Sequence, residues 1–334
     1  MGVAPLTGGA SASGRRWLVV GGAGFIGGHF VRRLLSDPDV ERVTVFDNFT
    51  SGRVEHLEGG VDDARLAVVR GDVKELEELV DAAAGHDVAV HLASNPDIAR
   101  AATEPAIDFD EGTLLTHHVL EALRRASVGR ILYASGSGVY GDIGEIEADE
   151  DRGPLIPIST YGASKLAGEG LISAYSFMFG LTGRVFRFGN VVGPWQTHGV
   201  GLDFTRSLLA EPTRLAILGD GSQSKSYVYV EDVIDAMLVA SATTEPFGAF
   251  NVATGDYVTV TEIAHLAVEA VGLDPASVRL EYSGGDRGWK GDVPIVRLSI
   301  ERMRSLGWSP ARTSTEALRD SMATLVDAIR AGRL

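Results

Sequence analysis

Cysteine is absent from this chain of 334 residues. Disulfide frameworks, zinc–thiolate sites and cysteine nucleophiles are therefore excluded. Long apolar runs are missing too: nothing approaches the roughly 18 to 20 unbroken apolar residues of a membrane-crossing helix, so a soluble protein with no membrane partner is expected. Basic charge is scarce. Thirty Lys and Arg face 45 Asp and Glu, a formal net charge of -15, and such a surface draws in no phosphate backbone, so nucleic acid is excluded as a general partner. A small anionic ligand in a locally basic pocket stays open. The eight histidines include no pair at a metal-ligand spacing with carboxylates on one helical face, and no metal is expected. The opening stretch Met1 to Gly14 is small, Gly-rich and broken by Pro5, with no charged region ahead of an apolar block. It does not resemble an export signal. Residues 1–15 are expected to form a mobile tail and the protein to be cytoplasmic, which makes Asn48-Phe49-Thr50 a chance match to a glycosylation sequon.

What is present is alternation. Arg16 to Val20, Val43 to Phe46, Leu66 to Val69, Val88 to Leu92 and Arg130 to Ala134 are short apolar runs, separated by helix-like stretches at Gly24 to Leu35, Val73 to Ala84 and Thr113 to Arg125. Nearly continuous apolar strands joined by helices predict an α/β fold with a doubly wound parallel sheet buried on both faces. A longer helix is predicted over Ser159 to Gly180, capped by Ser159 or Thr160 and stopped by Gly180. A strand at Gly183 to Phe188 follows. Beyond it the alternation loosens, with a late strand at Phe250 to Val252 and helices at Thr261 to Val271 and Thr315 to Ile329. No repeat or low-complexity linker separates the halves, so a cleft between two directly packed regions is the expected site.

Gly21-Gly22-Ala23-Gly24-Phe25-Ile26-Gly27 stands between the first strand and the first helix. One glycine permits a tight turn, one lets the backbone approach a pyrophosphate, and one packs helix on strand, while the helix N-terminus offers amide donors. A glycine run alone also fits a plain turn. Here Asp47 closes the second strand 20 residues after Gly27, placed to accept hydrogen bonds from ribose hydroxyls and to repel a 2'-phosphate, which favours NAD over NADP. Arg53, nearby, is the one feature pulling the other way. Asn48 adjoins this carboxylate, Asp72 and Val73 end the third strand where they would meet the adenine, and Leu92 and Ala93 end the fourth at the same sheet edge. His91 reads better as a buried histidine satisfied by backbone than as a catalyst.

Tyr161-Gly162-Ala163-Ser164-Lys165 sets a phenol and an ammonium one helical turn apart on one face. A tyrosine with an ordinary pKa near 10 is a poor base at neutral pH. A neighbouring lysine, with the positive ring of a nicotinamide, favours the phenolate, which can take a hydroxyl proton as hydride leaves the same carbon.

These pieces together resemble an extended short-chain dehydrogenase/reductase of the nucleotide-sugar epimerase and dehydratase type. The likeness runs from Trp17 to the C-terminus and rests on the glycine loop, Asp47, Gly71-Asp72-Val73, His91-Leu92-Ala93, Val139-Tyr140-Gly141, Tyr161 with Lys165, Arg187 to Pro194, and Gly219-Asp220-Gly221-Ser222-Gln223. The resemblance implies a Rossmann domain over 16–185 plus about 225–257, and a smaller C-terminal α/β nucleotide-sugar domain over about 186–224 and 258–334. It also implies tightly held NAD, a homodimer built on paired helices, Tyr161 as the base, Lys165 on the nicotinamide ribose, and Asn190 on the substrate diphosphate.

Three departures carry information. Relatives have Ser or Thr where this chain has Gly136, so Ser137 or Ser135 substitutes for the hydroxyl, or Tyr161 reaches the sugar directly; both serines otherwise serve loop amides. Related 4,6-dehydratases carry Asp-Glu beside that position, and decarboxylases a glutamate, where this chain has Ser137-Gly138. Epimerisation needs neither carboxylate. In the phosphate region, Gln223-Ser224-Lys225 puts a point-charge lysine where relatives have a bidentate arginine, and Arg287 or Lys290 is the remaining cation; Gln196 and His198 are placed to touch the sugar. The resulting expectation is an NAD-dependent 4-epimerase of a UDP-hexose or UDP-uronic acid that oxidises C4, turns the 4-keto sugar and reduces it again. A dehydratase, decarboxylase or 4-ketosugar reductase is the enzymatic alternative, and a non-catalytic NAD-binding regulator the alternative from another class.

Overall fold

The computed structural model describes residues 15–95, 98–288 and 291–334. The tail expected over 1–15 lies outside them except for Arg15, which is tied down: its backbone N–H donates to Asp87 and its guanidinium pairs with Glu41. Lys290 also lies outside the described residues.

Seven parallel strands form the main sheet. They are β1 (Arg16–Val20), β2 (Arg42–Asp47), β3 (Leu66–Arg70), β4 (Val88–His91), β5 (Arg130–Gly136), β6 (Thr182–Phe188) and the edge strand Phe247–Val252. Their spatial order is Phe247–Val252, β6, β5, β4, β1, β2, β3. Each predicted strand is there. Trp17 through Val20 on β1 are fully buried on both faces, which is why the run is apolar throughout. Because β1 sends the chain outward to β2 and the return goes to β4, strand order reverses between β1 and β4, and a crevice opens past their C-terminal ends.

The helices α1 (Phe25–Leu35), α2 (Leu76–Ala83), α3 (Leu114–Arg125) and α4 (Thr160–Phe179) follow the sequence reading within a few residues. Ser159 caps α4 by accepting from Gly162 N, and Gly180, left-handed at φ 75°, ends it. Among the described residues three α-helices escaped prediction, the five-residue Glu301–Ser305 and two longer ones. Of these, α5 (Val200–Ala210) packs on α7 (Val260–Val271) and on the C-terminal helix Ser314–Arg330, and α6 (Val230–Ser241) packs on α1. The second of the longer two is mostly buried and exposes only Glu231 and Asp235 among its polar residues, so its helical period is faint in the sequence. Short strand pairs, Asn190–Val192 with Tyr227–Tyr229, Ser224–Lys225 with Val258–Thr259 and Arg214–Ile217 with Arg279–Tyr282, build the wall opposite the sheet. Runs of two to four residues are too short to show periodicity. Among the described residues no helix is long and apolar enough to cross a membrane.

One polar network ties α4 to the sheet. Arg187 on β6 pairs with Glu169 on α4 at 2.7 Å, both nearly dry, and also donates to Tyr140 Oη at 2.9 Å. Tyr140 in turn donates to Asn251 Oδ1 at 2.8 Å, so Val139-Tyr140-Gly141 serves the core. Glu169→Ala leaves the Arg187 guanidinium buried without its carboxylate, and breaking such a pair costs about 3–5 kcal/mol. Denaturant unfolding monitored by tryptophan fluorescence is expected to give a loss of that size.

Candidate active site

The glycine loop makes the floor of one end of the cleft. Gly21 turns the chain at φ 81°, a left-handed conformation, and a Cβ there would strike Ala93 N at 2.7 Å. At Gly27 a Cβ would lie 2.3 Å from Gly21 O, so this glycine is what lets α1 start flush against the loop. Gly24 is the N-cap of α1 and has no side-chain cap, which leaves the first-turn amides for a ligand. Phe25 and Ile26 continue the lining from the first turn of α1.

Asp47 accepts from Ala23 N at 2.9 Å and from Phe49 N at 2.8 Å, one bond to each carboxylate oxygen. It is thereby fixed beside the loop with lone pairs left over. Asn48 donates to Asp72 at 3.2 Å, and Val73, Leu92 and Ala93 complete the wall. Arg53 does not enter: its guanidinium reaches Arg333 O at 3.2 Å. The cradle of bare amides, the fixed carboxylate and the absence of Arg53 from the lining all fit NAD.

The other end carries Tyr161 and Lys165. Lys165 is 4% exposed. Its ammonium donates to Ala134 O at 2.8 Å and lies 5.4 Å from the Tyr161 ring centre. Burial lowers this lysine to about 8, opposed by the carboxylate of Asp108. Burial pushes the Tyr161 phenol up to about 12, Asp108 adding to the rise and a hydrogen bond with the Ser94 side chain opposing it. The expected downward pull on the phenol combined a lysine with a nicotinamide ring; the protein's own groups act the other way, because burial and Asp108 dominate. His91 is buried but not satisfied by backbone. Its Nε2 meets Thr116 Oγ1 at 3.2 Å, Nδ1 has no partner, and burial with Lys165 nearby lowers it to about 3.

Of the two candidate hydroxyls, Ser135 is committed elsewhere, donating to Glu169 at 2.6 Å. Ser137 is half-buried on the cleft wall and holds no side-chain hydrogen bond with the described residues. Gly136 between them is extended at φ -165°, and a Cβ there would meet nothing within 4 Å.

The substrate-side candidates divide. Asn190 lines the cleft and donates to Ser226 O at 3.4 Å. Lys225 lines it too, paired with Asp292 at 2.6 Å. Arg287 stands off the lining and is held by Asp142 at 2.5 Å and by Asp292 O at 2.6 Å. Gln196 is a brace, donating to His198 O at 2.6 Å and accepting from Ser321; His198 is exposed at the rim. That turn is gripped by Trp195, left-handed at φ 66°, whose ring meets His29, His56 and the Arg32 guanidinium. Sequence reasoning did not single out Ser94, Asp108, Trp195 or the side chain of Gln223. Gln223 lines the cleft at 3% exposure with both amide atoms unpartnered among the described residues. Together these walls enclose about 1460 Å³, room for a dinucleotide and a second ligand.

Comparison with known proteins agrees with this geometry. The family model described as "NAD dependent epimerase/dehydratase family" matches residues 17–253. A UDP-glucose 4-epimerase of Mycolicibacterium smegmatis is 33% identical over 311 residues, 91% of this chain and 96% of that protein. A crystal structure of a UDP-galactose 4-epimerase superposes with TM-score 0.82 at 36% identity, covering 94% of this chain and 99% of that one. A dTDP-glucose 4,6-dehydratase of Streptomyces venezuelae, solved with NAD bound, superposes with TM-score 0.84 at 30% identity, covering 95% and 98%.

Gly27→Ala tests the cradle. The added methyl has only backbone to displace, so the purified variant is expected to lose bound NAD, read by nucleotide release and chromatography, and to lose about 1–3 kcal/mol of stability as an overpacked site does.

Proposed function

The chain belongs to the NAD dependent epimerase/dehydratase family, and from that premise we propose that it is an NAD-dependent 4-epimerase of a nucleotide sugar, a UDP-hexose or UDP-uronic acid. The observation that carries the choice of reaction is the loop Ser135-Gly136-Ser137-Gly138, which lines the cleft beside Tyr161 and bears no carboxylate. Expulsion of water across two sugar carbons needs an acid and a base there. Epimerisation needs one proton-transfer group and space for the sugar to turn.

NAD, when bound over Gly21, Gly24, Phe25, Ile26, Gly27 and Asp47, supplies reversible hydride transfer at C4. The residues do the rest. Tyr161, as the phenolate, takes the O4 proton at Oη as C4 is oxidised, holds it there, and returns it after the 4-keto sugar has presented its other face. Lys165 keeps a positive charge close to the phenol and stands toward the nicotinamide ribose. Ser137 is the hydroxyl of its loop left to meet the sugar, and Gly136 leaves open space beside it. Asn190 and Lys225 bind the diphosphate, with Asp292 as the resting partner of Lys225. Gln196 and Arg287, held in other bonds, have no part in this reading. A homodimer belongs to it, supported by the exposed Phe177, Met178 and Phe179 at the end of α4.

The test is incubation of purified protein with a panel of UDP- and dTDP-sugars without added cofactor, the products resolved by NMR. Equal-mass C4 epimers are expected. A product lighter by one water would make the chain a dehydratase, and loss of carbon dioxide a decarboxylase; turnover only with stoichiometric reduced cofactor would make it a reductase. Tight NAD with no turnover of any sugar would leave a binding protein. Tyr161→Phe is expected to lower turnover by about 10²- to 10⁴-fold with NAD still bound.

A hydroxyl swap probes the loop. Ser137→Ala is expected to lower turnover by about 10²-fold, and adding Gly136→Ser to that variant to recover part of it, since the side chain enters open space. Unchanged turnover in Ser137→Ala would remove this serine from the mechanism.

A further inference from the structure

The proposed chemistry leaves a buried charge beside its central phenol without a task. Asp108 precedes the helical turn Phe109–Thr113 that leads into α3, and it is 2% exposed. Its Oδ1 accepts from Asn95 Nδ2 at 2.9 Å and its Oδ2 from Thr160 Oγ1 at 2.7 Å. No described arginine or lysine pairs with it. A carboxylate in so dry a place is costly unless hydrogen bonds and a nearby positive charge compensate it.

Its two partners are the immediate neighbours of the groups that matter. Thr160 is the first residue of α4, directly before Tyr161. Asn95 directly follows Ser94, whose hydroxyl neighbours the phenol and opposes its rise. One carboxylate thus fastens the helix that carries the phenol and the turn that lies beside it. The charged and titratable groups around this centre are Lys165 on α4 itself, His91 from β4, Tyr133 from β5 with Glu169 beyond it, and Asp108 from the turn before α3. Only Asp108 among them faces both Tyr161 and Lys165 with a negative charge.

We propose that Asp108 is a positioning residue for the proton transfer at Tyr161, a buried carboxylate that holds the phenol through Thr160 and Asn95 and supplies the negative charge against which Lys165 remains an ammonium. The inference rests on Tyr161 being the proton-transfer group. Its sign is distinctive. The carboxylate raises the phenol and raises the lysine, so neutralising it lowers both. Activity that requires an ionised phenol together with a charged lysine has a pH profile whose two limbs are set by these two groups. Both limbs then move toward lower pH together, whereas a merely structural loss lowers the height of the profile and leaves it in place.

The experiment uses the NAD-loaded enzyme and the nearly isosteric Asp108→Asn, whose carbonyl can accept from Asn95 while its amide donates to Thr160 Oγ1. The pH profile of turnover is expected to shift down by roughly one unit on both limbs. Thr160→Val, which removes a hydrogen bond and leaves the charge, is expected to reduce turnover without moving either limb. A profile for Asp108→Asn that superimposes on the parent overturns the proposal, as does a Thr160→Val profile displaced to the same extent. A second readout needs no turnover: phenolate absorbance across a pH titration, each protein measured against its Tyr161→Phe counterpart. The Tyr161 signal is expected to emerge at lower pH in Asp108→Asn, and an unmoved signal would also refute the idea. If the parent protein converts no nucleotide sugar, the functional reading fails by itself, and the absorbance titration alone decides the role of Asp108.

Discussion

A lysine ammonium held out of water sets the terms for the whole cleft. Lys165 donates to a single carbonyl, Ala134 O, and lies 5.2 Å and 5.4 Å from the ring centres of Tyr133 and Tyr161. Desolvation works against that charge, and burial does lower it to about 8. What keeps it mostly protonated at neutral pH is a convergence: a carbonyl at the end of β5, two aromatic faces, and the field of Asp108. Each comes from a different element. None of β5, α4 or the turn before α3 can shift without changing the charge balance at the phenol.

The fold holds these elements together with a second row of bonds just behind the first. Lys165 and Glu169 are four residues apart on α4 and so share a face. Lys165 takes Ala134 O; Glu169 takes Ser135 Oγ and, beyond it, the Arg187 guanidinium on β6. Consecutive residues at the end of β5 are thereby clasped by consecutive turns of one helix. The pair Glu169–Arg187 is too deep to be a surface ornament, and the hydroxyl of Tyr140 and the amide of Asn251 complete it. In the proposed chemistry this row never meets the sugar. It fixes where Tyr161 stands.

Much of this was legible in the residues, for reasons that can be named. The strands of the sheet are apolar on both faces, so β1, β2, β4, β5 and β6 stand out as runs, and glycine spacing with Asp47 marks the switch point. Tyr161 and Lys165 are legible because helical periodicity alone puts them on one face. Legibility fails where a role depends on partners far along the chain. Asp108, Asp110 and Glu111 form one acidic stretch, and nothing in it says that Asp108 is the member turned inward toward Thr160, 52 residues away. Arg287 reads as a phosphate cation because a sequence lists charges without their counter-ions; Asp142 supplies its counter-ion across 145 residues, and Lys225, kept in the proposed site, rests on Asp292 across 67. Gln196 lines the cleft, with its amide spent on His198 O and Ser321, partners a sequence does not show.

Gly136 then takes on a different meaning. No steric rule demands glycine there, since the backbone is extended and a side chain would enter open space. The phenol nonetheless has a hydroxyl neighbour in Ser94, just past the end of β4. With Ser94 and Lys165 both close by, Tyr161 has polar neighbours without one at position 136. A hydroxyl at that position would add a second donor near the phenol, whereas its absence widens the cleft beside Ser137, on the wall of the space where, in the proposed reaction, the sugar turns. A reaction that asks for one mobile proton and room to rotate loses little by this exchange. A reaction that expels water across two carbons would need a carboxylate on that loop and finds none, so the glycine and the missing acids at Ser137-Gly138 point the chemistry the same way.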